Sequence, residues 1–315
     1  MRVERVCVKR EPHHTGAPRR LSIAPRRALD TGGAPGSLSP VNATDTHRIR
    51  FTVHYDGRDF FGWQVQARER TVQGELERVL SRLFNRPAGV LGSGRTDRGV
   101  HATGQVAAVD APLKWTPDAL RRALNALLPG DVWIADAAEA APRFHPRYDA
   151  VARSYVYRVG LVPEAQSPFR ARWCWPLGKP LDRTAMERAT QVLVGDHSFK
   201  AFAKAGQEER GDRCIVAEAR WAEWEQVGVE FHVTANRFLH HMVRYLVGTL
   251  VDVGLGVRPE SDVAALLAQA PGLETSPPAP PEGLFLALVT YPPSAGQRLE
   301  SHSGSDQRAS TSTNL

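Results

Sequence analysis

Cysteine is scarce. Cys7, Cys174 and Cys214 are the only three in 315 residues, and none stands in the Cys-x-x-Cys spacing of a zinc or dithiol site. An odd number of widely separated thiols excludes a disulfide framework and reads as free cysteines in a reducing compartment. Long apolar runs are missing as well. No stretch reaches the roughly 18 consecutive apolar residues of a membrane-spanning helix, so the chain is expected to be soluble and to have no membrane partner. Nucleotide-binding signatures are absent too. In "GSGRTDRG" the third glycine, Gly99, comes too late after Gly94 for a dinucleotide fingerprint, and the pattern GxxxxGK[ST] of a phosphate-binding loop does not occur. Lysine is the last shortage, with five among the forty Lys and Arg residues.

Charge is present but unevenly spread. The formal net charge is +6, and the first 47 residues hold eight Arg or Lys against four Asp or Glu, so most of the excess lies in one segment. That segment is rich in Pro, Gly, Ser and Arg without sustained periodicity, and residues 1–47 are expected to be a disordered tail. The polar, low-complexity residues 294–315 carry the same expectation. A nucleic-acid partner would have to be held by local arginines in the body, where a guanidinium offers bidentate contact to phosphate. Arginine-rich composition by itself equally fits biased codon usage.

Between the tails the pattern is orderly. "RIRFTVHYDG" alternates with Ile49, Phe51, Val53 and Tyr55 on one face, the period of a half-buried strand. Thr71 precedes a helix with apolar residues at Val72, Leu76, Val79, Leu80 and Leu83. "GQVAAVD" resumes a strand, Thr116-Pro117 opens a second helix through Leu120, Leu124 and Leu127, and "VWIADA" closes a first half. A second half follows from about residue 150. It contains a strand "SYVYRV", a helix capped by Asp182, the strand pair "EARWAEW" and "VEFHVTA", a long amphipathic helix "RFLHHMVRYLVGTLVDVG" and a last strand "GLFLALVTYP". The expected fold class is α+β: two similar domains, 48–149 and 150–293, each a mostly antiparallel sheet covered by helices, with an active-site cleft between them.

The segment "GSGRTDRGVHATGQ" sets Asp97 between Arg95 and Arg98. A structural turn needs only the glycines and an aspartate that caps its own backbone. A carboxylate flanked by guanidinium groups is ionised at neutral pH, which makes it a poor general acid but a nucleophile that needs no separate base.

"GRTDRGVHATGQ" resembles the signature loop of the TruA-type tRNA pseudouridine synthases, usually GRTDAGVHA. The resemblance extends through "YDGRDFFGWQVQ", "TVQGELE", "NALLPGDV", "FHPRYDAVARSYVYR", "LVGDHSF" and "FLHHMVRYLVGTLVDVG" in the family's order, covering about residues 48–293. It implies isomerisation of uridine to pseudouridine at positions 38–40 of the tRNA anticodon stem-loop, without cofactor or metal. Asp97 is then the catalytic nucleophile, acting at uracil C6 or at the ribose C1′. Arg95 is implied to sit beside the carboxylate and hold the base or its phosphate, Tyr155 to pack on the base with its hydroxyl assisting proton removal, and Arg244 to reach the site from the edge of the helix's apolar arc as a partner for Asp97. Arg98 departs from the family's usual alanine and is expected to point outward. His240 and His241 are not expected to bind metal, because adjacent residues do not share one face of a helix. Phosphate contacts are expected from Arg121, Arg122, Arg143, Arg147 and Arg172. The resemblance further implies a cytoplasmic homodimer whose subunits share one tRNA; a non-catalytic RNA-binding module and a synthase for another RNA are the competing readings.

Overall fold

The computed structural model describes residues 45–204 and 211–293. The tails expected to be disordered fall outside the described residues, apart from 45–47, and Thr46 and His47 already belong to the first strand. Cys174 and Cys214 are free and buried.

Strand β1, Thr46–Tyr55, buries Ile49, Phe51, Val53 and Tyr55 in alternation, as its sequence requires. Helix α1, Val72–Phe84, starts where the Thr71 hydroxyl accepts the Gly74 N–H, satisfying one orphan donor of the first turn. The short β2, Leu91–Gly92, leads through the Asp97 loop into β3, His101–Pro112. Helix α2, Pro117–Leu127, is capped in the same way by Thr116, and β4 spans Val132–Glu139. In α2 only Leu120 and Leu124 are buried; Leu127 comes to the surface because the helix ends there.

The second half contributes β5 (Ala152–Gly160), β6 (Trp175–Pro176), α3 (Arg183–Gln191, capped by Asp182) and β7 (Gly195–Ser198). It continues with β8 (Arg213–Trp224), β9 (Gly228–Ala235), α4 (Met242–Gly254), α5 (Ser261–Leu267) and β10 (Leu284–Thr290). Helix α4 is shorter than its apolar pattern suggests. His241 has φ 63° and the helical bonds start at Met242. It is buried nearly all round, including Gly248, where a Cβ would stand 2.1 Å from the Pro277 carbonyl oxygen of a crossing segment.

The fold class is α+β, and the sheets of the two halves fuse into one. The strand order is β4-β1-β3-β10-β5-β9-β8-β7, with β2 on β3 and β6 on β5. The main path is antiparallel except at the join, where β10 runs parallel to β3 through Phe285 opposite His101 and Leu286 opposite Ala102. On its other edge β10 pairs antiparallel with β5. The join is tight: a Cβ on Gly104 would lie 2.0 Å from the Ala287 carbonyl oxygen.

His101 sits at this join, 1% exposed, with its ring stacked 4.8 Å from that of Phe285. Its Nδ1 accepts the Gly57 N–H at 3.1 Å. Burial depresses the imidazole from 6.5 to about 4, with the nearby Asp56 carboxylate opposing. The folded ring is therefore neutral where the unfolded ring is protonated.

Two outcomes follow from the join. Stability should be complete above pH 6.5 and fall as pH drops toward 4, because only the unfolded chain takes up the His101 proton in that window; the loss is about 3 kcal/mol. Urea unfolding at pH 7 and pH 4.5 measures it, and His101→Asn should flatten the slope. Gly104→Ala should cost roughly 3 kcal/mol or more by forcing β10 off β3, read as a fall in Tm, while Gly130→Ala, whose Cβ meets nothing within 4 Å, should not lower Tm.

Candidate active site

The loop before β3 is fixed along most of its length, and the Asp97 side chain is the exception. The Ser93 N–H donates to the Val106 carbonyl at 2.8 Å and its hydroxyl donates to Gln105 Oε1 at 2.6 Å. Gln105 Nε2 returns a bond to the Gly94 carbonyl at 2.8 Å. The Thr96 hydroxyl meets the Tyr55 hydroxyl at 2.8 Å, and the Thr96 carbonyl accepts the Trp63 N–H at 3.1 Å. Gly62 permits that last approach, since a Cβ there would be 2.5 Å from the Thr96 oxygen. From β5, the Arg153 guanidinium donates to the Ser93 carbonyl at 2.8 Å. The turn itself closes through the Asp97 backbone carbonyl, which accepts the Val100 N–H at 3.2 Å, with Gly99 at φ 81°. The Asp97 side chain caps nothing among the described residues, which disposes of the purely structural turn.

Its carboxylate faces two imidazoles. His240 Nε2 lies 3.3 Å from Oδ1 and His241 Nε2 lies 3.3 Å from Oδ2, with the ring centroids 4.1 Å apart. Helical phase would have sent these neighbours in different directions. They converge because both precede α4, where His241 in the left-handed region reverses the chain. The imidazole of His241 is lowered below its usual range by burial, against the opposing charge of Asp97.

Tyr155 on β5 stands in the same cleft, edge-on to Phe238 with centroids 4.8 Å apart. Burial, with the Asp97 charge adding, pushes its hydroxyl up to about 12. At neutral pH it is a protonated phenol, suited to packing and donating rather than to taking a proton. Tyr157, on the same face, is sealed and donates to the Pro280 carbonyl at 2.7 Å.

The arginines part company. Arg95 is exposed at the cleft wall and its Nε donates to Gln64 Oε1 at 3.1 Å; it makes no ion pair with Asp97. Arg244 is also not on Asp97. Its Nε donates to the Ala279 carbonyl at 2.7 Å, and its charge acts on His241. Arg98 points outward, its guanidinium 4.1 Å above the Phe61 ring.

The cleft encloses about 1190 Å³ and includes Trp63, Arg147, Arg153 and Arg237 in its lining. That exceeds the roughly 300–1,000 Å³ of small-molecule pockets and suits part of a polymer. Of the arginines proposed from sequence for phosphate, only Arg147 lines it. Arg121 and Arg122 both pair with Asp118, Arg172 with Asp56 at 2.8 Å, and Arg143 is exposed elsewhere. Sequence reading missed Arg237, His240 and His241 because all three were placed within a helix that starts later.

A family model described as "tRNA pseudouridine synthase" matches residues 51–149 and 189–292. A protein of a Geobacillus species named tRNA pseudouridine synthase A is 40% identical over 245 residues, covering 78% of this chain and 98% of the relative. Proteins of the same name from Myxococcus xanthus and Maridesulfovibrio salexigens are 41% and 39% identical, each over 78% of this chain and over 92% and 90% of their own lengths. With most of its body matched in this way, the chain belongs to the tRNA pseudouridine synthase family.

Proposed function

We propose that this protein isomerises uridine to pseudouridine at positions 38–40 of the tRNA anticodon stem-loop, with Asp97 as the nucleophile. The observation that carries the reading is the Asp97 carboxylate. It is held by a loop bonded to three strands, accepts no hydrogen bond among the described residues, and is turned into a cleft with Tyr155 beside it. In the reaction the C1′–N1 bond breaks, C5 bonds to C1′, and the proton leaving C5 is balanced by one gained at N1, so no atom is added and no redox partner is required. Asp97 attacks either uracil C6 or the ribose C1′, and in both cases its ionised form needs no activating base.

Tyr155 offers the base a ring to pack on. Arg95, at the wall, meets the nucleotide as it enters, and Arg244 acts through the His241 turn. A uridine in a stem must leave its stack at a cost of a few kcal/mol, which phosphate contacts from Arg147 and Arg237 offset. Residues 48–149 and 150–293 serve as the two domains. A homodimer sharing one tRNA and a cytoplasmic location complete the reading; both rest on the resemblance of the motifs. Among the described residues no helix is long and apolar enough to cross a membrane.

Asp97→Asn removes the charge and keeps the shape. Tritium release from 5-tritiated uridine in tRNA should fall below detection while tRNA affinity stays within about twofold, since the base-edge and phosphate contacts remain; unchanged release would refute the assignment. Arg147→Ala should weaken binding to all substrate tRNAs alike and lower the slope of log affinity against log salt by about 1, measured by filter binding across a salt series. A salt slope equal to wild type would remove Arg147 from the phosphate contacts.

A further inference from the structure

Asp97, His240 and His241 present three donor atoms of metal-ligating type, all within 4.8 Å of one another. Sequence reading set metal aside because neighbouring histidines diverge on a helix, and that premise does not hold once both lie ahead of α4. The two nitrogen–oxygen separations are each 3.3 Å. Ligands about 2.0–2.1 Å from a tetrahedral zinc ion stand roughly 3.3–3.4 Å apart; each imidazole meets that separation at its own carboxylate oxygen, so an Asp97 that binds through both oxygens matches these two edges, and the set as a whole lies within 4.8 Å. Neither histidine is hydrogen-bonded to the carboxylate, although both ring nitrogens are at ion-pair distance.

The backbone supplies an independent observation. His241 occupies the left-handed region at φ 63°, a conformation that glycine or asparagine adopts at lower cost. Strain of this kind persists where the surroundings over-determine it, and here it turns the imidazole onto Asp97. Imidazole nitrogens with one carboxylate suit zinc and its transition-metal neighbours; magnesium and calcium prefer all-oxygen sites. The positive charges of Lys204 and Arg244 act on His241, so the ion would be held loosely and exchangeably.

We infer that Asp97, His240 and His241 form a binding site for a divalent transition cation, Zn²⁺ in the first instance, and that occupancy blocks the enzyme by occupying the nucleophile. The ion's bonds to carboxylate oxygen take the lone pairs that would attack the nucleotide. Ion and extruded uridine then exclude one another. Binding rests on the geometry alone; the inhibitory consequence rests on the proposed role of Asp97.

The test uses the full chain with Zn²⁺ measured by competition against a chromophoric chelator, and with Co²⁺ as a spectroscopic probe. The chain has 11 histidines, including His13-His14, so the site is defined by difference. Wild type and His13→Asn/His14→Asn should show the same Co²⁺ visible band. Asp97→Asn and His241→Asn should lose it, with Zn²⁺ affinity at this site down at least about tenfold. Asparagine tolerates the left-handed backbone at 241, and Asp97→Asn alters a partly exposed side chain, so one variant decides if the other is misfolded. Equal Zn²⁺ affinity and Co²⁺ spectra in wild type and a folded Asp97→Asn variant would overturn the site. In wild type, tritium release should stop as Zn²⁺ fills the site and return on chelation; binding lost in Asp97→Asn with turnover indifferent to Zn²⁺ would overturn the inhibitory role. A metal-free wild type with no turnover on any tRNA would overturn the proposed function and leave the binding result standing.

Discussion

The cleft depends on two residue pairs, Phe285 opposite His101 and Leu286 opposite Ala102, where the last strand of the chain lies parallel to β3. The residues of the proposed site straddle that join. Asp97 comes from the loop feeding β3, whereas Tyr155 lies on β5 and the histidines on the turn into α4. Without β10 seated between β3 and β5, the two sheets would have no common edge and the loop no neighbour across it. Parallel pairing gives no hairpin to set its register, and closure here waits on a segment that starts at Leu284, about 170 residues after β3 ends at Pro112. The close approach of Gly104 to Ala287 and the sealed ring of His101 are what hold such a short contact in place. The pH sensitivity of the fold therefore resides at the same point as the geometry of the site.

Much of the fold was legible because the local signals were strong and consistent with the packing. Alternation in β1 and the Thr71, Thr116 and Asp182 caps gave the right elements with boundaries near the observed ones. The long apolar run of α4 was less informative about its start. Leu239 is buried like the helix residues that follow it, so apolar periodicity extends past the first helical bond. Only the backbone reversal at His241 marks the true beginning, and a histidine is a far weaker sequence signal for a positive φ than a glycine. The fusion of the two sheets was likewise hidden, because alternation in "GLFLALVTYP" says which face is buried and not which strand lies alongside.

The site was legible in its centre and less so at its edges. The Asp97 loop announced itself through its glycines and its flanking arginines, and the motif resemblance singled out Tyr155. The arginines were harder, since a guanidinium on a long flexible stem finds its partner in space rather than along the chain. Arg121 and Arg122 are taken up by an acid on the surface and Arg172 by the largely buried Asp56, and Arg153 spends donors on the Ser93 and Arg147 carbonyls. Arg153 thus positions the loop, a role that phosphate-oriented reading of the sequence overlooks.

In the proposed role Asp97 attacks carbon, and a carboxylate with that task must keep its lone pairs free. The structure achieves this by satisfying the loop through its backbone and through Ser93 and Thr96, leaving the oxygens of Asp97 without a hydrogen-bond donor among the described residues. The same freedom makes those oxygens available to any cation small enough to enter. Two imidazoles at 3.3 Å limit the carboxylate's orientation without neutralising it, and they also complete a ligand set. Susceptibility to metal capture is in this sense a physical consequence of presenting an unencumbered nucleophile: donors that protected Asp97 from a cation would also lower its reactivity toward the nucleotide.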